Sequence, residues 1–561
     1  MKKPLLSELT LEEKVGQMLL GYQWDIHRKT RVGGARPETL RTKEERDAYL
    51  LKEKFGTLWA QTGMGSRGLD QDMADKETTD ASEEYGQWIM EESDVYKIPA
   101  LTSLDCETGA ADTFKDLSRG VGAMTLGAAN DVQLCYDLGV AIAKELRCAG
   151  ATWRWAPVVD VGSKRTNQML RTYRASEPQR QIELANAHIA GTQSQGVAAT
   201  AKHFPGGDKF EFRDSHFCPS QLNSTYDEWW EEQGIIFKGV IDGGVYSIMT
   251  SHHAFPAVDD SKVNGMTRPA TISKKITTDL LKEKLGFKGV VITDSIAMGA
   301  LFTLMPYEDL IVEIVNAGND VILGCMADTN EIICKAVRDG RIEESRIDDG
   351  CQRVLDMKEK LGMFEEGYRH VVGKAKDLVP ETRKLNLEVA RKGVTLVRDR
   401  QNMLPVNKDK IKNVTIIAST HTDAFVDSLE NLKKEFEDRG MNVKVQRRVF
   451  NNEEMDKIAA ESDLIVYAVY IKQHNPMGLP SLYGKEMETY FYAFTNGKEK
   501  SVAISFGYPY VHFTMLENAD AFINAYASSP ELMKACVEGI FGEIEFKGDS
   551  PVDLEPDIRN F

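Results

Sequence analysis

The chain has 561 residues, a length that predicts two or three domains rather than one. Its hydrophobic content of 42% is that of a globular protein with a full core. Lysine and arginine number 69 against 86 aspartate and glutamate residues, so the net charge is −17. A negative charge of this size argues against nucleic acid, and against an anionic membrane, as the main partner.

The cysteines and the N-terminus predict a cytoplasmic protein. Eight cysteines are scattered without a CxxC pair, which favours reduced thiols over a disulfide framework or a zinc site. The first residues, MKKPLLSELTLEEKVGQMLL, lack the unbroken apolar stretch of a signal peptide. No uncharged stretch in the sequence is long enough to predict a membrane span.

In chain order, residues 7–19 predict an amphipathic helix with Ser7 or Thr10 as its cap. Short apolar runs then alternate with helical patterns, which is typical of an α/β fold with a parallel sheet. With a first strand near 19–22, the predicted strands make about eight, as in a (β/α)₈ TIM-type barrel. They lie at 55–61, 99–105, 151–161, 197–204, 244–253, 289–295 and 320–325.

Ionisable side chains stand where most of these predicted strands end. In a barrel the carboxyl ends of all strands meet at one face, which is the face that carries the active site of barrel enzymes. We therefore expect one site built from these ends, with Arg171 in a nearby loop. The residues are Asp105, Asp160, Lys202, His203, His252 and Asp294.

The segment KHFPGGDKFEFRDSHF, residues 202–217, is crowded with ionisable groups, among them Lys202, His203, Asp208, Arg213, Asp214 and His216. It begins at the end of an apolar run, and Pro205, Gly206 and Gly207 start a loop there. That loop brings Asp214 and His216 into the same region of the chain. Loops at strand ends are where proteins place chemistry, so this segment is predicted to belong to the site.

A second, smaller α/β domain is predicted after the barrel. Apolar runs recur at 414–418, 464–470, 501–507 and 521–526 with helical patterns between them, which predicts a second parallel sheet. The predicted boundaries are 1–363 for the barrel, 364–385 for a polar linker and 386–561 for the C-terminal domain.

The motifs resemble those of the family 3 glycoside hydrolases, in particular the β-N-acetylglucosaminidase branch. The resemblance rests on KHFPG followed by Asp-Ser-His, on VVITDS, on SLDCETG and on GATWRWAPVVDV. It implies a TIM-type barrel followed by an α/β sandwich domain. The sequence departs from the family's usual P-G-H-G or P-G-D-G at Pro205-Gly206-Gly207-Asp208, which leaves the exact sugar open.

By this resemblance, Asp294 is the nucleophile and the Asp214–His216 dyad is the general acid/base. Asp105, Arg171, Lys202 and His203 match positions that bind sugar hydroxyls. Elementary chemistry agrees with that division, because glycoside cleavage needs an acid at the leaving oxygen and a carboxylate across the sugar ring. A histidine titrates near neutral pH and can both give and take a proton.

The resemblance implies a retaining β-N-acetylglucosaminidase that removes terminal β-linked N-acetylglucosamine from cell-wall or chitin fragments. The first alternative is a phosphorylase with the same site, since a neutral histidine base does not repel phosphate as a carboxylate would. A further alternative is a β-glucosidase or β-xylosidase whose acid is Glu486 or Glu488 of the second domain. A sugar-binding protein without catalysis would not need the dyad and Asp294 together. No cofactor and no metal are predicted.

Overall fold

The chain divides into two compact units in a computed structural model. The first comprises residues 1–118, 136–160 and 185–380, and the second comprises residues 119–135, 161–184 and 381–561. The predicted boundaries at 363 and 386 stay a prediction. The structure describes residues 2–22, 26, 28–29, 39–40, 42–60, 81–93, 95–161, 169–208, 211, 213–326, 328–471, 482, 484–493, 500–511 and 519–554.

The first unit contains a sheet of parallel strands that follow one another in chain order. We number them β1 (Leu20–Tyr22), β2 (Thr57–Trp59), β3 (Leu101–Leu104), β4 (Trp153–Arg154), β5 (Ala198–Phe204), β6 (Ser247–Thr250) and β7 (Val290–Thr293). Each lies within a predicted run, and each is buried as a parallel strand covered on both faces should be.

The segment after β7 closes the sheet into a barrel. Val321 forms a parallel bridge with Ile292 of β7, and Ile322 forms one with Leu19 beside β1. The amide of Ile322 donates to the carbonyl of Met18 at 3.0 Å. The predicted run 320–325 thus occupies the eighth strand position, and the predicted TIM-type barrel is confirmed.

Apolar side chains from the strands fill the barrel. The core includes Leu20, Trp59, Leu101, Trp153, Trp155, Ala198, Met249, Val290, Ile292, Val321 and Leu323. The rings of Trp59 and Trp155 lie 5.2 Å apart at their centroids. These tryptophans belong to the packed interior, as barrels require.

Helices alternate with the strands along the chain as the pattern predicts. The predicted N-terminal helix is Leu11–Gln17, and Thr10 caps it in a capping box with Glu13. The main helices before residue 380 are Leu11–Gln17, Lys43–Glu53, Ala81–Ser93, Ala123–Ala129, Val132–Cys148, Pro178–Gln193, Tyr226–Trp229, Ile235–Asp242, Tyr307–Ala317, Thr329–Arg338 and Glu344–Lys360. Shorter or wider turns lie at Leu6–Glu8, Ala110–Asp112, Met169–Arg171, Trp230–Gly234, Ala270–Ile272, Lys275–Lys284, Gly299–Phe302 and Ala375–Leu378.

The second unit holds a six-stranded sheet that is mixed rather than purely parallel. Its strands, in spatial order, are Thr395–Asp399, Ala521–Asn524, Ser501–Ser505, Leu464–Tyr470, Asn413–Thr420 and Asn442–Gln446. Thr395–Asp399 runs antiparallel to its neighbour, which corrects the prediction of a parallel sheet. The helices Val379–Gly393, Asp423–Glu437, Asn452–Glu461, Lys485–Ala493 and Pro530–Ile540 complete this α/β layer. In the part of the chain described, no helix is long and apolar enough to cross a membrane.

Candidate active site

The predicted site residues of the barrel stand at the carboxyl ends of its strands. Asp105 follows β3 directly, Lys202 and His203 lie within β5, and Asp294 follows β7. Because the strands are parallel in one closed sheet, these ends meet at a single rim. The structure therefore assembles side chains that are far apart in the sequence.

Lys202 binds two carboxylates at this rim. Its Nζ lies 3.0 Å from Asp105 Oδ1 and 2.8 Å from Glu107 Oε1. The lysine is buried, whereas both carboxylates are partly exposed. One ammonium thus orients two acceptor groups that solvent, or a sugar hydroxyl, can still reach.

Arg154 of β4 supports the turn that carries these carboxylates. Its Nε donates to the Cys106 carbonyl at 2.6 Å, and its Nη2 donates to the Glu107 carbonyl at 3.0 Å. Its Nη1 lies 2.8 Å from Nε2 of His188, whose pKa is held well below its usual value by burial. A neutral imidazole accepts that hydrogen bond, so each of the three guanidinium nitrogens of Arg154 has a hydrogen-bond partner.

Asp160 fixes His203. One carboxylate oxygen accepts from the His203 amide at 2.6 Å, and the other lies 2.7 Å from Nδ1 of the ring. Asp160 is almost completely buried, so its contacts serve His203 rather than solvent. This pairing sets both the backbone and the ring orientation of the histidine.

Asp214 and His216 form a close pair. Oδ1 of Asp214 lies 2.7 Å from Nδ1 of His216 and accepts from the His216 amide at 2.9 Å. The aspartate is buried and the histidine half-buried. A carboxylate at Nδ1 favours the tautomer in which Nε2 carries the lone pair that takes or returns a proton.

Backbone hydrogen bonds attach this dyad to the segment that follows β7. The amide of Gly299 donates to the His216 carbonyl at 2.9 Å, and the amide of Ala300 donates to the Ser215 carbonyl at 3.2 Å. Asp294 stands five residues before Gly299, directly after β7. The dyad and Asp294 are therefore held by one connected piece of backbone.

Two buried carboxylates hold the loop between β5 and the dyad. Asp208 accepts from the amides of Glu211 at 3.1 Å and Asn223 at 2.6 Å. Glu211 accepts from the Gln221 amide at 3.1 Å and from Nε of Arg213 at 2.8 Å. Arg213 and the backbone hydrogen bonds hold the pKa of Glu211 below its usual value despite its burial. Phe210 and Phe212 lie outside the described residues.

Asp294 is buried beside a neutral histidine. Its Oδ1 accepts from the Ser295 amide at 2.7 Å, and its own amide donates to the Thr250 carbonyl at 2.9 Å. Nε2 of His252 lies 2.8 Å from the Ser295 carbonyl. Burial lowers the pKa of His252, while the negative charge of Asp294 acts in the opposite direction. His252 thus stabilises the backbone next to Asp294 through its contact with the Ser295 carbonyl.

The family model described as "Glycosyl hydrolase family 3 N terminal domain" matches residues 10–357, more than half of the chain. The chain belongs to glycosyl hydrolase family 3. A "Beta-N-acetylglucosaminidase/beta-glucosidase" of Cellulomonas fimi is 26% identical over 475 residues, which cover 81% of this chain and 84% of that protein.

Two solved structures share the fold of this family 3 chain. A family 3 β-N-acetylglucosaminidase from Paenibacillus sp. str. FPU-7 has a TM-score of 0.78 and 24% identity, and covers 97% of this chain and 99% of its own. "Beta-glucoside phosphorylase BglX bound to 2FGlc" has a TM-score of 0.80 and 22% identity, and covers 98% of this chain and 95% of its own. At these identities the two structures support the fold alone.

Three other predicted residues belong to the second unit of this family 3 glycosidase. Arg171 ends the turn Met169–Arg171 and is half-buried. Glu486 is buried, with Nε of Arg448 at 2.7 Å from its Oε1. Glu488 lies exposed on the same helix, Lys485–Ala493.

Sequence reasoning did not assign Glu107 or Arg154 to the site. Glu107 stands inside the quoted segment SLDCETG, and its place two residues after Asp105 was the available indication. Arg154 had none, because its contacts join β4 to the turn after β3 and exist only in the folded barrel. Over the described ranges, no group of three or more histidine, cysteine or acidic side chains has the arrangement of a metal site.

Proposed function

We propose that this family 3 glycosidase is a retaining β-N-acetylglucosaminidase. It removes terminal β-linked N-acetylglucosamine from fragments of cell wall or chitin in the cytoplasm. The observation that carries the proposal is the Asp214–His216 pair, 2.7 Å apart, on a loop hydrogen-bonded to the segment after Asp294. The C. fimi relative, which is named for cleavage of both N-acetylglucosaminides and glucosides, supports the choice of sugar.

In this mechanism Asp294 attacks the anomeric carbon while His216 gives a proton to the leaving oxygen. The glycosidic bond breaks and a covalent glycosyl-aspartate forms. His216, now neutral, takes a proton from water, and that water displaces the aspartate with net retention. Asp214 orients the ring and stabilises its protonated form.

At the same rim of the barrel, Lys202 and its two partners, Asp105 and Glu107, would bind sugar hydroxyls. Asp105 and Glu107 offer acceptor oxygens that Lys202 already orients. Bonds of this kind to sugar hydroxyls strengthen as charge develops on the ring. His203, fixed by Asp160, is a further donor in the proposed site.

The first test compares aryl substrates in phosphate-free buffer. Release of 4-nitrophenol should be much faster from the β-N-acetylglucosaminide than from the β-glucoside. Faster release from the glucoside would contradict the proposed sugar and would favour an acid from the second domain.

The second test replaces the nucleophile. Asp294→Ala should lower kcat by at least about a thousandfold, because no covalent intermediate can form. Added azide should restore turnover and give a glycosyl azide of inverted configuration, since it enters the side vacated by the carboxylate. Asp339→Ala, at an exposed helix end, is the matched control and should leave kcat unchanged. High residual activity of Asp294→Ala without azide would overturn the assignment.

A phosphorylase is the second candidate, and the histidine acid/base favours it. An imidazole that has given up its proton is neutral, so it does not repel an incoming phosphate. Phosphate would then take the place of water and yield a sugar 1-phosphate. Product analysis in phosphate buffer separates the two reactions, because the hydrolase releases only the free sugar.

A further inference from the structure

Phe217, the residue directly after His216, has 60% of its surface exposed. Phenylalanine is usually buried, so an exposed ring beside an ionisable pair is unusual. The centroid of this ring lies 6.4 Å from that of the His216 ring. An exposed aromatic side chain therefore lies next to the proposed proton donor.

The exposed position of Phe217 is fixed by its backbone. Its amide donates to the Asp214 carbonyl at 3.0 Å. A Cβ added to Gly299 would lie 2.6 Å from the Phe217 carbonyl oxygen, so the two segments are in close contact. The loop thus holds the phenyl ring at the surface, while the His216 carbonyl accepts from the Gly299 amide on the segment that follows Asp294.

A second exposed phenylalanine lies on the segment that contacts Phe217. Phe302 is three residues after Gly299 in the helical turn Gly299–Phe302 and has 43% of its surface exposed. Residues three apart in a helical turn share a face. Phe302 therefore lies on the helical turn whose first residue, Gly299, contacts the Phe217 backbone.

We propose that Phe217 forms the leaving-group subsite and packs against the pyranose ring of a second, β-linked sugar. This inference rests on the proposed role of His216. A general acid must stand at the glycosidic oxygen, so the residue beside it faces the leaving group rather than the sugar that is cleaved off. A pyranose has an apolar C–H face, which an exposed aromatic ring buries well.

The test compares a leaving group that has a ring with one that has none. N,N′-diacetylchitobiose supplies a leaving sugar, whereas the methyl β-glycoside of N-acetylglucosamine supplies only methanol. Both leaving groups are alkoxides that need the proton from His216, so displacement of the loop would slow both. In Phe217→Ala, kcat/KM for the disaccharide should fall by about tenfold or more, as expected for the loss of one aromatic contact. For the methyl glycoside it should stay within about twofold, because the lost contact touches only the leaving sugar.

Two further variants complete the design. Phe217→Trp keeps an aromatic face and should retain most of the activity on the disaccharide. Phe450→Ala removes a phenylalanine of the same 60% exposure from the second unit and should leave both substrates unaffected.

Each outcome decides the inference. An equal loss on both substrates would mean that Phe217 acts by holding the loop, and no loss on the disaccharide would mean that it does not contact the leaving sugar. Either result overturns the subsite. If the wild-type protein does not cleave N-acetyl-β-glucosaminides, the same comparison is made with cellobiose and methyl β-glucoside. The proposed sugar then fails, while the subsite is still tested by the ratio between these two substrates.

Discussion

Lys358, on the helix Glu344–Lys360, is a buried ammonium group without a carboxylate partner among the described residues. It has 0% exposure, and its Nζ lies 2.5 Å from Oε1 of Gln17. Burial lowers the pKa of Lys358 to about 7 from a usual value of 10.5. Replacing this residue by a neutral side chain of similar length should therefore stabilise the protein.

The size and sign of the effect follow from the two pKa values. The folded pKa is below the unfolded one, so between pH 7 and 10.5 the unfolded chain binds more protons. The stability of the wild-type protein should thus rise with pH through that window, by up to about 1.4 kcal/mol per pH unit. The total penalty that Lys358 imposes below pH 7 is about 5 kcal/mol. Because losing the hydrogen bond to Gln17 costs about 1–3 kcal/mol, Lys358→Met should gain about 2–4 kcal/mol at pH 7.

Urea unfolding of both proteins at pH 6, 7, 8 and 9 measures this difference. The gain of Lys358→Met should be largest at pH 6 and should shrink toward pH 9, since the penalty on the wild-type protein shrinks there. Lys358→Arg is the matched control, because arginine cannot give up its proton and should destabilise the barrel at every pH. A constant difference across the pH series, or a Met variant that is less stable throughout, would refute the reasoning.

Two further substitutions test how the site is held. Gly299→Ala places a Cβ 2.6 Å from the Phe217 carbonyl and should lower kcat by at least about tenfold through displacement of the dyad. Gly86→Ala, whose Cβ would meet nothing closer than 3.4 Å, should leave kcat unchanged, and equal activity of the two variants would contradict the backbone coupling. Arg154→Met should raise KM by about tenfold or more, because the turn that carries Asp105 and Glu107, the carboxylates proposed to bind sugar, loses its support. His188→Leu removes the partner of Arg154 Nη1 but leaves both hydrogen bonds from Arg154 to the turn. A similar rise in KM in this variant would show that Arg154 acts through the general stability of the barrel and not through the turn.

The barrel could be predicted because its strands are buried on both faces. Each then appears in the sequence as an apolar run that ends at a polar residue, as in VVITD before Ser295. Two strands of the second unit's sheet that sequence reasoning missed lack this pattern, and both lie at its edges. Asn442–Gln446 has only exposed and half-buried residues, and Thr395–Asp399 ends in charged side chains. A strand with one open side has no need of a continuous apolar run.

The pairing of Asp214 with His216 was predictable because the two residues are neighbours in the chain. Their link to the segment after Asp294 was not, since it is made by backbone amides and carbonyls that every sequence possesses. The same holds for Arg154, which binds two carbonyl oxygens rather than a side chain. A contact to a backbone group does not require a particular residue type at that position, so the sequence alone does not reveal it.

With the proposed roles of His216 and Phe217, this arrangement separates the chemistry from the choice of leaving group. The position of the dyad depends on backbone hydrogen bonds to Gly299 and Ala300, and these do not require particular side chains on the outer face of the loop. The side chain of Phe217 lies on that outer face, so its replacement need not move His216. A family that keeps this backbone frame can change the side chain beside the acid and so change the leaving group it accepts. Preference for the leaving group should therefore vary more easily than the reaction itself.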